Sequence, residues 1–451
     1  MAFTFDHPTE KATGFDRFGL DQALVRGIRD AGFITPRPIQ AETIPAGLAG
    51  RDVLGLAQTG TGKTAAFALP LLDRLLHDRR RAIRALVLAP TRELATQIAA
   101  EIRLLARHTP IRVAVIFGGV AQSRQVSDLR NRPEIVVGCP GRVLDLIGQN
   151  LLHLDEVETL VLDEADHMFD MGFLPPIRKI IRELPRQRQN LLFSATMPRE
   201  IRGLADDLLR QPHVVELAGT GPAATIDHGL VLVAEQRKRD LLEHLLRRDD
   251  CDSAIVFTRT KHRAKRLADQ LSRAGLRAVG LQGNLSQAQR DRAMNGFRTR
   301  QFNILVATDI VARGIDVSGV SHVINFDVPN TPEAYTHRIG RTGRAELEGT
   351  ACTFVTSEDH EWLRATERMI GSPIRRQTFD GFATEREPVG VLRAPARGRQ
   401  AGGQARSQDG GQTASQQLGQ PASQSVDQPR GRQQRYGRGT LGSRARDRRR
   451  A

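Results

Sequence analysis

Residues 53–69 read Val-Leu-Gly-Leu-Ala-Gln-Thr-Gly-Thr-Gly-Lys-Thr-Ala-Ala-Phe-Ala-Leu. The apolar start predicts a buried strand, the small residues a tight turn, and the apolar end a helix. Such a turn lets backbone N–H groups wrap a phosphate at the helix N-terminus. Lys63 adds a mobile cation for the β- and γ-phosphates, and Thr64 adds a hydroxyl for Mg²⁺. The segment predicts a nucleotide-phosphate loop, with a chance glycine-rich turn as the alternative.

This predicted phosphate loop has an alanine where a first glycine is usual. Its residues are Ala57, Gln58, Thr59, Gly60, Thr61, Gly62, Lys63 and Thr64. The strand before the loop and the helix after it favour nucleotide binding, because a phosphate loop needs both.

Short apolar runs followed by stretches with helical spacing continue on both sides of the loop. In the first half they predict strands at 53–57, 85–89, 113–117, 135–138, 159–162 and 190–194. In the second half they predict strands at 229–234, 253–258, 303–307, 322–326 and 351–356. Uninterrupted apolar strands suit parallel sheets covered on both faces. The sequence therefore predicts two α/β domains, each a mainly parallel sheet flanked by helices.

Composition shifts mark the domain boundaries. We predict an N-terminal extension at 1–14, a first domain at 15–217, a linker at 218–226, a second domain at 227–377 and a tail at 378–451. The linker contains small residues, glycine and proline. The tail is rich in Arg, Gly and Gln with few apolar residues, so we expect it to be disordered.

The length of 451 residues, with 39% hydrophobic and 26% charged residues, is enough for more than one globular core. No apolar run approaches the ~18 residues of a membrane span, and the N-terminus lacks a signal-peptide pattern. Cys139, Cys251 and Cys352 lie far apart, without metal or redox spacing. We expect a cytoplasmic protein that is not embedded in a membrane.

The net charge of +15 indicates a polyanionic partner, although an arginine-rich genome would give the same excess. From residue 384 onward, fourteen arginines oppose five acidic residues, so the tail supplies much of this charge. The tail is either a tether to RNA or ribonucleoprotein, or a solubilising extension.

Residues 163–166, Asp-Glu-Ala-Asp, follow the apolar run 159–162. Open α/β sheets bind ligands at the carboxyl ends of their strands, so these acids should lie beside the phosphate loop. Asp163 would hold Mg²⁺ through water, and Glu164 would orient and deprotonate the attacking water. Asp166 would link the site to neighbouring segments. A helix cap or a solvated turn is the alternative.

These motifs resemble those of the DEAD-box RNA helicases, a family named after Asp-Glu-Ala-Asp. Further matching segments follow in the family's order, at 32–40, 90–95, 118–119, 140–142, 194–196, 255–257, 287–290, 312–316 and 335–344. The resemblance covers roughly residues 15 to 376. It implies two tandem RecA-like domains that close over ATP, Mg²⁺ and RNA.

The resemblance also implies roles around the nucleotide. Gln40 would read the adenine edge, Phe15 would stack on its ring, and Asp316 would touch the ribose. Arg341 and Arg344 would enter from the second domain as arginine fingers. Without the family pattern, Phe15 is equally a core aromatic, Gln40 a helix-start side chain, and the two arginines a solvated helix face.

By the same resemblance, His337 couples with Asp166, Ser194 and Thr196 between the domains. The implied RNA-contacting residues are Arg92, Gly119, Arg142, Arg290 and Thr308, for which structural turns or surface arginines are the alternatives. Contacts to the sugar-phosphate backbone would make RNA binding sequence-tolerant.

The chain departs from the family pattern at three positions. Cys139 and Arg37 stand where threonine is common, and Gln282 stands where histidine is common. Cys139 and Arg37 adjoin the residues that are expected to bind ligands. Gln282 is expected to change one local contact of the second domain.

The expected function is RNA-stimulated ATP hydrolysis with local, non-processive unwinding of short RNA duplexes by a monomeric core. The setting would be ribonucleoprotein remodelling in ribosome assembly or mRNA turnover. The alternative is an ATP-dependent RNA clamp or assembly factor with little unwinding; a DNA translocase fits the motifs less well.

Overall fold

The computed structural model describes residues 14–58, 60–78, 80–217, 225–312, 319–343, 348–380 and 382. In these residues the chain forms two separate sheets of seven strands, and every strand pair is parallel. The prediction of two α/β domains with parallel sheets is confirmed.

The first domain opens with a 3-10 turn at Asp16–Phe18 and the helices α1 (Gln22–Asp30) and α2 (Pro38–Leu48). Its remaining elements are β1 (Val53–Leu56), α3 (Lys63–His77), β2 (Ala85–Leu88), α4 (Arg92–Leu105), β3 (Val113–Ile116), α5 (Gln122–Arg130), β4 (Ile135–Gly138), α6 (Pro140–Gly148), β5 (Thr159–Leu162), α7 (Ala165–Asp170), α8 (Leu174–Arg182), β6 (Gln189–Ser194), α9 (Arg199–Leu208) and β7 (His213–Glu216). The strand order across the sheet is β3-β4-β2-β5-β6-β1-β7.

The second domain repeats this plan. Its elements are β8 (Ile226–Leu232), a 3-10 turn at Glu235–Arg237, α10 (Lys238–Leu246), β9 (Ala254–Phe257), α11 (Lys261–Arg273), β10 (Ala278–Leu281), α12 (Gln287–Arg298), β11 (Ile304–Ala307), α13 (Asp309–Ala312), β12 (His322–Asn325), α14 (Pro332–Ile339), β13 (Gly349–Val355), α15 (His360–Ile370) and β14 (Arg375–Arg376). The strand order is β10-β11-β9-β12-β13-β8-β14.

Alternate residues of the central strands fill cores on opposite faces of the sheet. In the first domain, Val87 and Val161 belong to one buried cluster, whereas Leu86 and Leu160 belong to the other. Burial on both faces explains why these strands read as continuous apolar runs. Because all strands are parallel, their carboxyl ends meet at one edge, where the phosphate loop and the acidic segment follow β1 and β5.

Each of the eleven predicted strands has a counterpart, whereas β7, β10 and β14 were missed. Only one of the four residues of β7 is buried, and β14 has two residues, so neither carries an apolar run. Strand β10 reads Ala-Val-Gly-Leu, with a glycine in its interior. Strand β8 begins at Ile226, one residue before the predicted start of the second domain.

The second domain also extends beyond its predicted end at 377. The rings of Phe379 and Phe382 lie 6.3 and 5.5 Å from the ring of His244 and pack on the core beneath α10. The predicted start of the tail at 378 is therefore too early. The rest of the predicted tail, residues 1–13 and residues 218–224 lie outside the described residues.

Within the part of the chain that the structure describes, no helix combines the length and apolarity that crossing a membrane needs.

A close backbone contact between α1 and α4 generates a stability prediction. A Cβ atom added at Gly27 would lie 2.1 Å from the carbonyl oxygen of Leu105. This oxygen belongs to the backbone, so the two helices would have to move apart to accommodate the added atom. We expect Gly27→Ala to lower the free energy of unfolding by about 1–3 kcal/mol, as measured by urea denaturation.

The matched control is Gly203→Ala in α9, where an added Cβ meets no described atom within 4 Å. This change should stabilise the protein by about 0.5–1 kcal/mol, because alanine is the better helix former. Equal effects of the two substitutions would contradict the prediction.

Candidate functional site

The predicted phosphate loop lies between β1 and α3. Gly60 and Gly62 have φ values of 85° and 92°, a left-handed conformation that glycine adopts without strain. Ala57 does not have a positive φ, so alanine replaces a glycine there without cost. Its N–H donates to the carbonyl of Ser194 at 3.0 Å, which fixes the loop to β6. Helix α3 begins at Lys63, so the N–H groups of its first turn face the loop.

Lys63 and Asp163 bring opposite charges together at the carboxyl ends of β1 and β5. The Lys63 side chain is 6% exposed, and its Nζ donates to the Ala57 carbonyl at 3.0 Å. The same Nζ lies 3.9 Å from Asp163 Oδ1. Thr64, the next residue, is half-buried in the first turn of α3. A cation, a hydroxyl and a carboxylate are thus gathered around one loop.

The start of α2 holds the phosphate loop from the other side. Gln40 Nε2 donates to the Gly62 carbonyl at 3.1 Å, and Arg37 Nη1 donates to the Gly60 carbonyl at 2.6 Å. Gln40 Oε1 accepts from the Arg37 N–H at 2.9 Å. A carboxamide has two donor hydrogens and two acceptor positions, so Gln40 keeps one of each beyond these two bonds.

Phe15 does not lie where an adenine could stack on it. Its side chain is 0% exposed, and its ring packs edge-to-face against Phe18 and Phe33 at centroid distances of 6.0 and 6.1 Å. Because no face of the ring is open, the expected stacking does not fit this arrangement. Phe15 instead supports the segment that leads to α2 from within the core.

The first two carboxylates of the acidic segment, Asp163 and Glu164, have opposite pKa shifts. Burial raises the pKa of Asp163 to about 6, against the opposing pull of Lys63. Burial also acts to raise the pKa of Glu164, but His167, Lys63 and Arg341 outweigh it and lower that pKa to about 2. Glu164 is therefore ionised and can accept a hydrogen bond from a water molecule, and the charge of Arg341 acts on it from the second domain.

The backbone of Glu164 is strained. Its φ of 54° lies in the left-handed region, which costs a non-glycine residue on the order of 1–3 kcal/mol. Asp163 Oδ1 accepts from the Glu164 N–H at 3.0 Å and holds this turn. In this conformation the Glu164 carboxylate lies 2.8 Å from His167 Nδ1.

Asp166 connects the acidic segment to β6 and to the second domain. Its Oδ2 accepts from the Ala195 N–H at 3.1 Å and from the N–H and hydroxyl of Thr196 at 2.9 and 3.1 Å. Ser194 Oγ accepts from the Asp166 N–H at 3.2 Å. His337 Nε2, on α14, lies 3.8 Å from Asp166 Oδ2. The four predicted coupling residues thus lie together.

The sequence did not identify His167. It lies on α7 with its Nδ1 2.8 Å from Glu164 Oε2 and its Nε2 2.8 Å from His337 Nδ1. The rings of the two histidines are nearly perpendicular, with centroids 4.5 Å apart. The spacing of three residues from Glu164 was a usable signal. The partner on α14 could not be inferred from local sequence.

A cleft of about 520 Å³ is lined by both domains and contains Arg92, Arg142 and Arg290. Arg290 Nε donates to Glu93 Oε1 at 2.8 Å, and Nη2 lies 2.8 Å from the same oxygen, so an ion pair that the sequence did not predict joins the domains. Arg142 Nη1 is buried and has no hydrogen-bond partner among the described residues. Three guanidinium groups therefore converge on one cleft.

Gly119 and Thr308 complete the set of predicted RNA-contacting residues. Gly119 has a φ of 76°, and an added Cβ would lie 2.2 Å from Arg92 Nη2, so only glycine lets the guanidinium rest there. Thr308 follows β11 and accepts the first backbone hydrogen bonds of α13. Arg92 Nη1 lies 3.4 Å from Gln287 Oε1 across the domain boundary.

Two departures from the family pattern have local explanations. Cys139 is buried before α6, and burial raises the pKa of its thiol to about 12, so it stays neutral beside the arginines. Gln282 Oε1 accepts from the Asn284 N–H at 2.7 Å, so it closes a turn within its own segment.

Three predicted residues, Thr59, Asp316 and Arg344, lie outside the described residues.

Among the described residues, no group of three or more His, Cys, Asp and Glu side chains is arranged to hold a metal. The two oxygen donors predicted for Mg²⁺ are the Asp163 carboxylate, beside Lys63, and the hydroxyl of Thr64 in the first turn of α3. This set fits Mg²⁺, which is commonly held by one or two protein oxygens together with water and substrate phosphates.

Comparison with known proteins decides the family. The model for the DEAD/DEAH box helicase domain matches residues 37–204, and the model for the helicase conserved C-terminal domain matches residues 237–346. The ATP-dependent RNA helicase CshA of Listeria monocytogenes is 45% identical over 372 residues, which cover 82% of this chain and 71% of that protein. This chain is a DEAD-box RNA helicase.

Solved structures agree with the fold of this helicase. Dbp5 of S. cerevisiae, bound to RNA and ADP BeF3, matches with a TM-score of 0.72 at 32% identity, over 81% of this chain and 96% of that one. Mss116p bound to ssRNA and AMP-PNP matches with a TM-score of 0.74 at 27% identity, over 83% and 81% of the two chains. The two sheets are tandem RecA-like domains, as predicted.

The contact between Arg37 and the phosphate loop generates a second prediction. We expect Arg37→Thr, which restores the residue common in the family, to raise the KM for ATP about 2- to 5-fold with little change in kcat. The reason is the loss of one exposed hydrogen bond to the Gly60 carbonyl. Steady-state ATPase assays at saturating RNA measure both constants. Arg51→Thr, at an exposed position of the same domain, is the control. An unchanged KM in Arg37→Thr would show that the hydrogen bond from Arg37 to the Gly60 carbonyl does not contribute to ATP binding.

Proposed function

We propose that this helicase couples RNA-stimulated ATP hydrolysis to local, non-processive separation of short RNA duplexes. The observation that carries the proposal is the continuous set of contacts from the acidic segment into the second domain. His337 reaches Asp166 and His167, and Arg290 reaches Glu93 beside the arginine-lined cleft. The CshA relative is named an ATP-dependent RNA helicase, and the Dbp5 structure holds RNA and a nucleotide analogue.

In this proposal the phosphate loop and Lys63 bind the β- and γ-phosphates of ATP. Backbone N–H groups at the start of α3 and the Lys63 ammonium supply positive charge where the phosphates lie. Asp163 and Thr64 would hold Mg²⁺, which supplies charge neutralisation at the phosphates when bound. Gln40 is 0% exposed and holds the Gly62 carbonyl of the phosphate loop, so its expected contact with the adenine edge requires the side chain to become exposed when ATP binds.

Glu164 acts as the base that orients the attacking water and accepts its proton. Its lowered pKa keeps it ionised, and the contact with His167 Nδ1 holds its carboxylate in place. Arg341, whose charge acts on Glu164 from the second domain, stabilises the charge that develops on the transferring phosphate. Hydrolysis therefore requires the two domains to be together.

RNA binds in the cleft through its sugar-phosphate backbone. Arg142 Nη1 is a buried donor without a partner among the described residues, and a phosphate oxygen would satisfy it. Arg92 and Arg290 add charge from both domains, so the path is continuous only when the domains are closed. Binding should be sequence-tolerant and sensitive to salt.

Because ATP and RNA both bridge the two domains, each lowers the ordering cost of the other. A closed path that accepts one bent strand excludes a duplex, so one strand is displaced and hydrolysis resets the enzyme. Short duplexes should open and long ones resist. Remodelling of ribonucleoprotein in ribosome assembly or mRNA turnover is the cellular role that we propose from the family resemblance.

Glu164→Gln tests the proposal. The amide keeps the shape of the side chain but cannot accept a proton, so RNA-stimulated ATPase should fall by about 100-fold or more. Strand separation of a short duplex should be lost with it. ATPase rates with and without single-stranded RNA, together with a duplex-release assay, measure both. Glu183→Gln, an exposed substitution of the same type at the end of α8, should leave both unchanged.

If wild-type hydrolysis is indifferent to RNA while RNA binding persists, the proposed helicase activity fails and an RNA clamp explains the fold better. If Glu164→Gln hydrolyses ATP normally, the assignment of the base is wrong.

Gly119→Ala tests the RNA path. The added methyl group must displace the Arg92 guanidinium, so we expect RNA affinity to fall about tenfold, the size of one lost charged hydrogen bond. With RNA at a saturating concentration, the KM for ATP should stay within about twofold. Fluorescence anisotropy with labelled single-stranded RNA measures the affinity.

Gly275→Ala is the matched control for backbone strain. Gly275 has a φ of 82°, and an added Cβ there meets no atom of the described residues within 4 Å. Both variants should lose similar stability, but only Gly119→Ala should lose RNA affinity. Equal RNA affinity of the two variants would remove Arg92 from the path.

A further inference from the structure

His167 has one partner in each domain. Its Nδ1 lies 2.8 Å from Glu164 Oε2 in the first domain, and its Nε2 lies 2.8 Å from His337 Nδ1 in the second. The side chain is buried, so water does not compete for either contact. A single rigid ring therefore spans from the proposed base to the domain boundary.

The distances favour this route over the one through Asp166. His337 Nε2 is 3.8 Å from Asp166 Oδ2, beyond hydrogen-bond distance, whereas His337 Nδ1 is within hydrogen-bond distance of His167. Asp166 Oδ2 already accepts from Ala195 and Thr196. The contact of His337 with His167 is thus the shorter connection between the second domain and the acidic segment.

The imidazole is suited to transmit orientation. With Glu164 ionised, His167 Nδ1 donates to the carboxylate, and the position of that donor depends on the tilt of the ring. The tilt depends in turn on the partner at Nε2, because the two nitrogens belong to one plane. When the domains separate, the Nε2 partner leaves and the ring loses the contact that fixes its tilt.

We propose that His167 is a positioning residue that aligns Glu164 in response to domain closure, through its contact with His337. The inference rests on the proposed role of Glu164 as the base. It assigns to the residue after Asp-Glu-Ala-Asp a link between closure and hydrolysis that is separate from the charge contributed by Arg341.

Two amide substitutions separate the two contacts of His167. The asparagine nitrogen occupies the place of Nδ1, so His167→Asn can still donate to Glu164 but cannot reach His337. The glutamine nitrogen occupies the place of Nε2, so His167→Gln keeps its reach to His337 but loses Glu164. The two changes introduce the same functional group into the same buried position.

We expect His167→Gln to lower the kcat of RNA-stimulated ATPase by about 10- to 100-fold, the effect of losing a hydrogen bond to a charged group. His167→Asn should lower it by about 2- to 10-fold, the effect of losing a neutral one. The KM for ATP should stay within about twofold in both variants, because the hydrogen bonds of His167 are to Glu164 and His337 and not to the phosphate loop. His153→Asn, the same substitution at an exposed histidine of the first domain, is the control.

A double-mutant cycle tests the contact between the domains. His337→Ala should cost less kcat in the His167→Asn background than in the wild type, by about the factor that His167→Asn costs alone. Additive effects would overturn the proposal. Equal losses in His167→Asn and His167→Gln, accompanied by equal falls in the thermal midpoint, would also overturn it, because they would indicate a structural role only.

Glu164→Gln distinguishes the two levels of failure. If Glu164→Gln is inactive while His167→Gln has wild-type kcat, the positioning role fails and the proposed function stands. If Glu164→Gln is active, the assignment of Glu164 as the base is wrong and the positioning role fails with it, whereas wild-type hydrolysis that is indifferent to RNA would refute the proposed helicase function itself.

Discussion

The constraint on which this structure depends is the cost of burying negative charge at the edge of an apolar sheet. Asp163, Glu164 and Asp166 are each nearly inaccessible to water, and an unpaired carboxylate there would protonate rather than stay charged. Asp163 shows the cost directly, since burial raises its pKa to about 6 despite Lys63. The charged and polar groups around these carboxylates offset this cost.

The compensation comes partly from the first domain and partly from the second. Backbone N–H groups of Ala195 and Thr196 hold Asp166, and Lys63 lies beside Asp163. The charges acting on Glu164 and Asp166 also include Arg341 and His337, which belong to the second domain. The second domain therefore contributes to the electrostatics of the acids themselves, and the full set of these groups is not present within the first domain alone.

Elements whose cause is local were predictable from the sequence. Strands β4 and β5 match their predicted bounds because all four residues of each are buried, and the acidic segment follows β5 as expected. Strands β7 and β14 were missed because they carry little buried apolar surface. Phe15 was assigned from the family pattern, but its surroundings are two phenylalanine rings that only the fold brings together. His167 was missed for the same reason, since its second partner is 170 residues away.

The ion pair of Arg290 with Glu93 connects the charge argument to the RNA path. A guanidinium carries five N–H donors, and the contact with Glu93 Oε1 involves Nε and Nη2, so the two donors on Nη1 take no part in it. The other carboxylate oxygen, Glu93 Oε2, is buried without a partner among the described residues. The contact with Arg290 therefore satisfies only one of the two oxygens of Glu93. In the proposed function Arg290 can hold Glu93 and a phosphate at the same time.

An arginine that bonds to the opposite domain and to the backbone of RNA is stabilised by both contacts only in the closed state. Lysine, with a single ammonium, could not make the same two contacts with the same geometry.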